Sequence, residues 1–186
     1  AVWAYACRAD AFRITHVEVP SSVSFTFPQP LIGMNLLTLD IRTLAETLHR
    51  QEPSLKDVRV VRQLPNRLRI DAVPRLPVAQ VRLDQWHPVD REGVILHDRR
   101  AQPVAELVQL LGVETPQARL KAGQQNTSER LQMALRVLDL LRRSPALVAH
   151  RLSAIDVSEP RQIRFVIDGE TEIRCGSEDE LREHLE

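Results

Sequence analysis

The chain has 186 residues, of which 43% are apolar and 27% charged, and its 25 basic and 25 acidic side chains balance. This composition is typical of a folded protein with one large or two small domains, not of a disordered tail. The zero net charge removes the whole-chain attraction to nucleic acid, and we predict no nucleic-acid partner. Two cysteines, Cys7 and Cys175, are too few for a disulfide framework or for a zinc site of their own.

The first seven residues, AVWAYAC, are apolar and do not begin with methionine. They fit the last turns of a membrane helix and, equally, an ordinary frayed terminus, whereas lipidation of Cys7 fits less well. No apolar run in the sequence approaches the roughly 20 residues that span a bilayer.

The first 75 residues predict a strand, a helix and a hairpin. Residues 12–19 (FRITHVEV) alternate like a strand, with a phase slip at His16. Thr38 is the predicted cap of a helix that has Asp40 in its first turn and whose apolar residues recur at helical spacing, at Ile41, Leu44, Ala45 and Leu48. Residues 64–66 then turn the chain between two strands, and the second strand alternates apolar with charged residues. This order predicts a compact α+β unit whose helix covers the apolar face of a three-stranded sheet.

The rest of the chain predicts a second, β-rich α+β domain that is joined to the first near Pro77. An extended run at 78–83 and a turn at 90–93 lead to a short strand at 94–96 and then to an irregular stretch. Asn126 and Glu129 resemble a capping box at the start of an amphipathic helix, which bears Leu131, Ala134, Leu135, Leu138 and Leu141. The pair Asp168-Gly169 predicts a hairpin, and Ser177 opens a final helix.

No combination of residues points to catalysis, and we predict no catalytic residue, metal or cofactor. The best metal candidate is the group His87, Asp90, His97 and Asp98. The favoured alternative is that Asp90 forms a turn and that both histidines flank a hairpin on its solvent side. Cys175 alternates with Ile173 along a strand, so we expect a buried, unreactive thiol.

Arginines form a basic stripe on the predicted first domain, at positions 59, 62, 67, 69, 75 and 82. The stripe fits an acidic partner or lipid head groups. The favoured alternative is the solvent-exposed face of a two-sided sheet, because Asp57 and Asp71 lie among the arginines. No aromatic residue interleaves the stripe, which argues against a platform for stacking bases.

The motifs of residues 33–96 resemble those of the bacterial FtsQ/DivIB cell-division family. The similarity rests on GMNLLTLDIRTLAETL (33–48), KDVRVVRQLPNRLRIDAVPRLPVAQV (56–81) and HPVDREGVIL (87–96), and later motifs follow in the family's order. The resemblance implies a POTRA domain at 11–77 and a β domain at 78–186, preceded at 1–10 by a membrane-helix stub or linker. Family members continue beyond Glu186 into further strands, so we expect the strand that pairs with the FtsB-like partner to be missing here.

The resemblance implies a non-catalytic scaffold of the division machinery. Family members are single-pass inner-membrane proteins with an extracytoplasmic domain at the septum. They bind FtsB-like and FtsL-like proteins and act indirectly on the septal synthase pair FtsW and FtsI. Positions that affect septal recruitment in the family align with Asp57, Val60 and Arg62, which we therefore predict to bind partners. The alternative is a POTRA-type module of outer-membrane protein assembly or two-partner secretion.

Overall fold

The computed structural model describes residues 10–21, 23–116 and 118–185. The predicted stub at Ala1–Cys7 lies outside these residues. The described chain forms two compact units that divide between Arg75 and Leu76. Both units mix helix and sheet, which confirms the predicted α+β class. Within the described residues, no helix is long and apolar enough to cross a membrane.

The first unit is a three-stranded sheet with one helix packed against it. Strand β1 (His16–Glu18) runs parallel to β3 (Arg67–Pro74), which pairs antiparallel with β2 (Leu55–Gln63), and the order is β1-β3-β2. Helix α1 (Ile41–Gln51) buries Leu44 and Leu48. The stripe predicted from the sequence therefore forms the helix side of the core.

The start of α1 differs from the prediction. Asp40, not Thr38, is the N-cap, because its Oδ1 accepts hydrogen bonds from the backbone N–H groups of Arg42 and Thr43 at 3.0 and 3.1 Å. The Thr38 hydroxyl donates instead to the carbonyl of Asn35. The hydrogen bond from the Thr43 hydroxyl to Asp40 is the largest of several that lower the pKa of this carboxyl. The cap is thus the anionic form of Asp40, which also suits the positive end of the helix.

The segment before α1 supplies much of the first core although it has no regular secondary structure. Leu31, Leu36 and Leu39 in this segment are 3%, 0% and 5% exposed. Among the described residues of the unit, α1 is the only α-helix. Irregular chain shares the cover of the sheet that the sequence assigned to this helix. The first predicted strand is also shorter than expected, because Phe12 lies in a short 3-10 helix at Asp10–Phe12.

The second unit is a six-stranded mixed sheet in the order β5-β4-β6-β7-β8-β9. Its strands are β4 (Pro77–Arg82), β5 (Trp86–Asp90), β6 (Val108–Leu111), β7 (Leu152–Asp156), β8 (Arg164–Ile167) and β9 (Thr171–Arg174). Strand β6 is parallel to both β4 and β7, and the other neighbours are antiparallel. Helix α2 (Glu129–Arg143) connects β6 to β7, as a parallel pair requires a crossover.

The core of this unit lies between α2 and one face of the sheet. The whole predicted stripe of α2 is buried, together with Val137. Asn126, however, does not cap the helix, because its amide bonds the backbone of Lys121 and Gln124 within the preceding loop. The predicted strand at 94–96 is reduced to isolated bridges at Val94 and Ile95. The Asp168-Gly169 turn forms as predicted, with φ of 54° and 78°.

Helix α3 (Glu178–Leu185) packs against α2 and is fixed there by a charged pair. Nε and Nη2 of Arg136 donate to the two carboxylate oxygens of Glu178 at 2.7 and 2.8 Å. The hydrogen bond from Arg136 lowers the pKa of Glu178 below its ordinary value of 4.5. A lowered pKa in the folded state means that the pair stabilises the fold at neutral pH and loses this effect as the pH falls through the folded pKa.

We expect Glu178→Gln to reduce the acid sensitivity of the second unit. The wild-type melting temperature should fall as the pH drops from about 5 to about 3, and the variant should lose less over that range because it has no carboxylate to protonate. Thermal unfolding at several pH values measures both profiles. In an Arg136→Gln background the same substitution should have a smaller effect, since the main partner is gone. An equal effect in both backgrounds would contradict the pair's role.

Candidate partner-binding surface

The three residues that the sequence predicts as partner contacts all lie on β2, an edge strand of the first sheet. Because β2 has a strand neighbour only in β3, its other main-chain edge has no described strand beside it. Such an edge can accept a strand of another protein by main-chain hydrogen bonding. The strand is nine residues long, which gives this edge the length for a partner strand.

The three side chains do not share one face of the sheet. Residues 57–63 pair with β3 in unbroken register, so Val60 and Arg62 point to the same face and Asp57 to the other. Asp57 is half-exposed and accepts a hydrogen bond from Arg59 at 2.7 Å. Val60 is only 7% exposed and packs in the first core. Of the three residues, Asp57 and Arg62 therefore have side chains within reach of a partner, whereas a substitution of Val60 acts first on the core.

Arg62 holds the segment that precedes α1. Its Nε donates to the carbonyl of Leu36 at 2.9 Å, and its Nη2 donates to the carbonyl of Leu39 at 2.7 Å. Both acceptors belong to the irregular segment whose leucines enter the core. The guanidinium fork thus satisfies two carbonyls that no helix or strand pairs, which gives Arg62 a structural role beside any contact with a partner.

We expect Arg62→Ala to destabilise the first unit by about 1–3 kcal/mol, because two charge-assisted hydrogen bonds are lost. Arg62→Lys keeps the charge but not the fork geometry, so it should lose most of the same stability. Hydrogen exchange of the amides in α1 and β3 measures the effect. Arg59→Ala is the matched control, since Arg59 is an exposed arginine of the same strand that forms a surface ion pair with Asp57. Equal protection in Arg62→Ala and Arg59→Ala would contradict the role of the fork.

The arginine stripe divides between structural contacts and surface ion pairs. Arg67 pairs with Glu18 at 3.4 Å, and Arg69 pairs with Asp71 at 3.0 Å. Together with the pair of Arg59 and Asp57, these contacts form a charged ladder on the sheet face that α1 does not cover. Arg82 was predicted on the first domain, but it ends β4 in the second unit. Within the first unit, Arg62 points to the opposite face of β2 from Arg59, so the arginines of this unit do not form one continuous basic surface.

The residues proposed for metal binding or nucleophilic chemistry have other partners. His87 is 5% exposed, not on the solvent side of the hairpin as predicted. Its Nδ1 lies 3.0 Å from the carbonyl of Leu96, and its Nε2 lies 3.2 Å from Oδ1 of Asp84. The carboxylate of Asp90 accepts hydrogen bonds from the backbone N–H groups of Glu92 and Val94, as a turn residue does. Across the part of the chain that the structure describes, no three His, Cys, Asp or Glu residues form a metal-binding group.

Cys175 is half-buried beside the second core. Burial raises the pKa of its thiol above the ordinary value. A raised pKa reduces the fraction of thiolate at neutral pH, and the thiolate is the reactive form. The environment of Cys175 thus favours a packing role over a nucleophilic one.

The sequence has relatives among known proteins. Residues 78–186 match the family described as Cell division protein FtsQ/DivIB, C-terminal. A protein named Cell division protein FtsQ from Myxococcus fulvus is 30% identical over 147 residues, which are 79% of this chain and 50% of that protein. A protein of the same name from Novosphingobium aromaticivorans is 34% identical over 109 residues, or 55% of this chain and 34% of that protein. The chain spans about half or less of the length of these relatives.

Proposed function

Because the chain belongs to the FtsQ/DivIB family of cell-division proteins, we propose that it is the extracytoplasmic part of a scaffold that assembles other division proteins at the septum. The match of residues 78–186, nearly the whole second unit, to the family's C-terminal domain is the observation that carries this proposal. In the full-length protein, one N-terminal helix would anchor the chain in the inner membrane. The scaffold would act without catalysis of its own.

The partners that we propose are FtsB-like and FtsL-like division proteins, through which the scaffold would regulate the septal synthase pair FtsW and FtsI. A scaffold needs surfaces that bind extended or helical segments of other proteins. The edge of β2 in the first unit is one such surface, and we assign a part in recruitment to Asp57 and Arg62 there. We propose that the first unit is the family's POTRA domain. The alternative function in outer-membrane assembly is less favoured, since the family match covers residues 78–186.

The cellular position of the full-length protein tests the proposed function. A fluorescent tag on the N-terminal side, in the native host, should give a band at midcell in constricting cells. Depletion of the protein should produce filaments that replicate DNA but do not divide. An even signal around the envelope, together with normal division after depletion, would overturn the proposal.

A pair of matched charge reversals tests the β2 surface. Asp57 and Asp71 have side chains that are 43% and 44% exposed, and each pairs with an arginine two residues away. They differ in that Asp57 lies on the edge strand β2 and Asp71 on the central strand β3. We expect Asp57→Lys to weaken the midcell band at normal protein levels and Asp71→Lys to leave it intact. Equal behaviour of both variants would remove the β2 edge from the proposed interface.

A further inference from the structure

A concave surface on the outer side of α2, in the second unit, is lined by several arginines and forms a groove. It has a volume of about 390 Å³ and lies between α2, α3, the start of β4 and the turn after β5. Val78, Leu135 and Leu140 contribute apolar surface to it. Its rim is formed by five arginines, which are Arg91, Arg136, Arg142, Arg143 and Arg182.

The carboxylates near the groove do not balance these arginines. Asp139 is shared between Arg91, at 3.4 Å, and Arg143. Glu178 is shared between Arg136 and Arg182, the latter at 3.4 Å. Glu129 acts on Arg136 from a greater distance. Among the residues that line the groove, five are arginines and one, Asp139, is acidic, which concentrates positive charge there in a chain whose net charge is zero.

Arg142 is partly desolvated in the groove. Its Nη2 donates to the carbonyl of Val78 at 2.8 Å, so a neutral oxygen is the acceptor. Burial, and then the positive charge of Arg91, lower the pKa of Arg142, while Asp139 acts in the opposite direction. A partly desolvated cation beside a like charge gains most from an added carboxylate, because Coulomb attraction is strong where water is displaced.

We propose that this groove binds an acidic segment of a protein partner, with carboxylates on the arginine rim and apolar side chains against Val78, Leu135 and Leu140. The charge and the apolar surface fit such a segment together. A bilayer surface fits less well, because lipid head groups bind protruding clusters of basic residues, whereas here the arginines surround a concave surface that includes carboxylates. The inference deepens the proposed scaffold function and rests on it. It concerns the second unit, whereas the β2 surface belongs to the first.

Binding of a defined acidic peptide tests this inference on the 186-residue chain. The probe is a fluorescein-labelled peptide in which pairs of glutamates alternate with single leucines, followed by anisotropy. We expect saturable binding that weakens about tenfold between roughly 0.05 and 0.5 M salt, since the attraction is electrostatic and is screened. A peptide with lysines in place of the glutamates should not bind.

The double variant Arg91→Ala and Arg143→Ala locates the binding site. Both side chains are largely exposed, at 72% and 76%, so their removal should leave the fold intact, as an unchanged melting temperature would show. We expect about tenfold weaker binding of the peptide, because two positive charges of the rim are lost and the negative charge of Asp139 is less compensated. Arg161→Ala is the matched control, as Arg161 is an exposed arginine of the same unit outside the groove.

Several outcomes would overturn the inference. One is that the double variant binds the peptide as tightly as the wild type. A second is that Arg161→Ala weakens peptide binding as much as the double variant does. A third is that the groove binds phosphatidylglycerol vesicles but does not bind the peptide. The full-length protein separates this inference from the proposed function. If the wild-type protein binds the peptide but is absent from midcell, the scaffold proposal fails, whereas the groove is still shown to bind an acidic segment. If it is at midcell but the peptide does not bind, the groove inference fails alone.

Discussion

Val60→Asp is expected to unfold the first unit at physiological temperature. Val60 is 7% exposed and faces Ile70 across the β2–β3 pair in the first core. A carboxylate at this position loses its hydration among the apolar side chains of the first core, which costs about 3 kcal/mol or more. That cost is a large part of the roughly 5–15 kcal/mol that stabilises a typical domain. Hydrogen exchange of the amides of α1 and β3 would show the loss of protection.

Val61→Asp is the control for this substitution. Val61 is the next residue on the same strand, points to the opposite face and is only partly buried. We expect its aspartate variant to keep most of the protection of the wild-type protein. Equal exchange in the two variants would show that β2 does not present Val60 to the core. A folded Val60→Asp protein that fails to reach midcell would instead support a direct contact with a partner.

Leu138→Ala is expected to lower the free energy of unfolding of the second unit by about 2–5 kcal/mol, as truncation of a buried leucine leaves a cavity. Leu138 is 2% exposed, on the face of α2 that packs against the sheet. Trp86 lies in β5 of the same unit, so its fluorescence reports the unfolding of this unit in urea. Trp3, the other tryptophan, is replaced by phenylalanine in all variants to keep the signal specific.

Leu140→Ala removes the same atoms from a neighbouring position on α2. Leu140 is only partly buried, so less contact is lost and water can fill the space. We expect a loss of about 1 kcal/mol or less. Similar losses at both positions would contradict the packing of α2 described above, and no loss at Leu138 would show that this residue is not in the core.

The amphipathic elements could be predicted from the sequence because their patterns follow from local geometry. The stripe of α2 is buried as its spacing predicts, and the alternation of β3 separates Leu68 and Ile70 from the charged face. The Asp168-Gly169 turn has the positive φ values that these residues tolerate. In each case a repeat of 3.6 or 2 residues, or a turn preference, is enough to define the element.

The candidate site was only partly predictable. The position of Val60 in an alternating strand indicates a buried side chain, whereas the resemblance to the family predicts a contact with a partner. The structure shows that Val60 is buried in the first core, so a substitution there acts first on packing. Nothing in the sequence indicates that Arg62 bonds the carbonyls of Leu36 and Leu39, because donor and acceptors are 26 and 23 residues apart. The groove beside α2 is lined by both Arg91 and Arg182, which are far apart in the sequence, so it could not be predicted from sequence spacing either.

The sequence by itself determined the α+β class, the family, and the helices and strands that have a periodic apolar pattern. Only the tertiary structure decided the place of β6, which has four residues and lies inside the second sheet between β4 and β7. It also decided how the irregular stretch before α2 is held. The buried amide of Gln80 bonds the backbone of Val104 and Leu107. A buried polar group must find partners, and those partners depend on which distant segments meet in the fold.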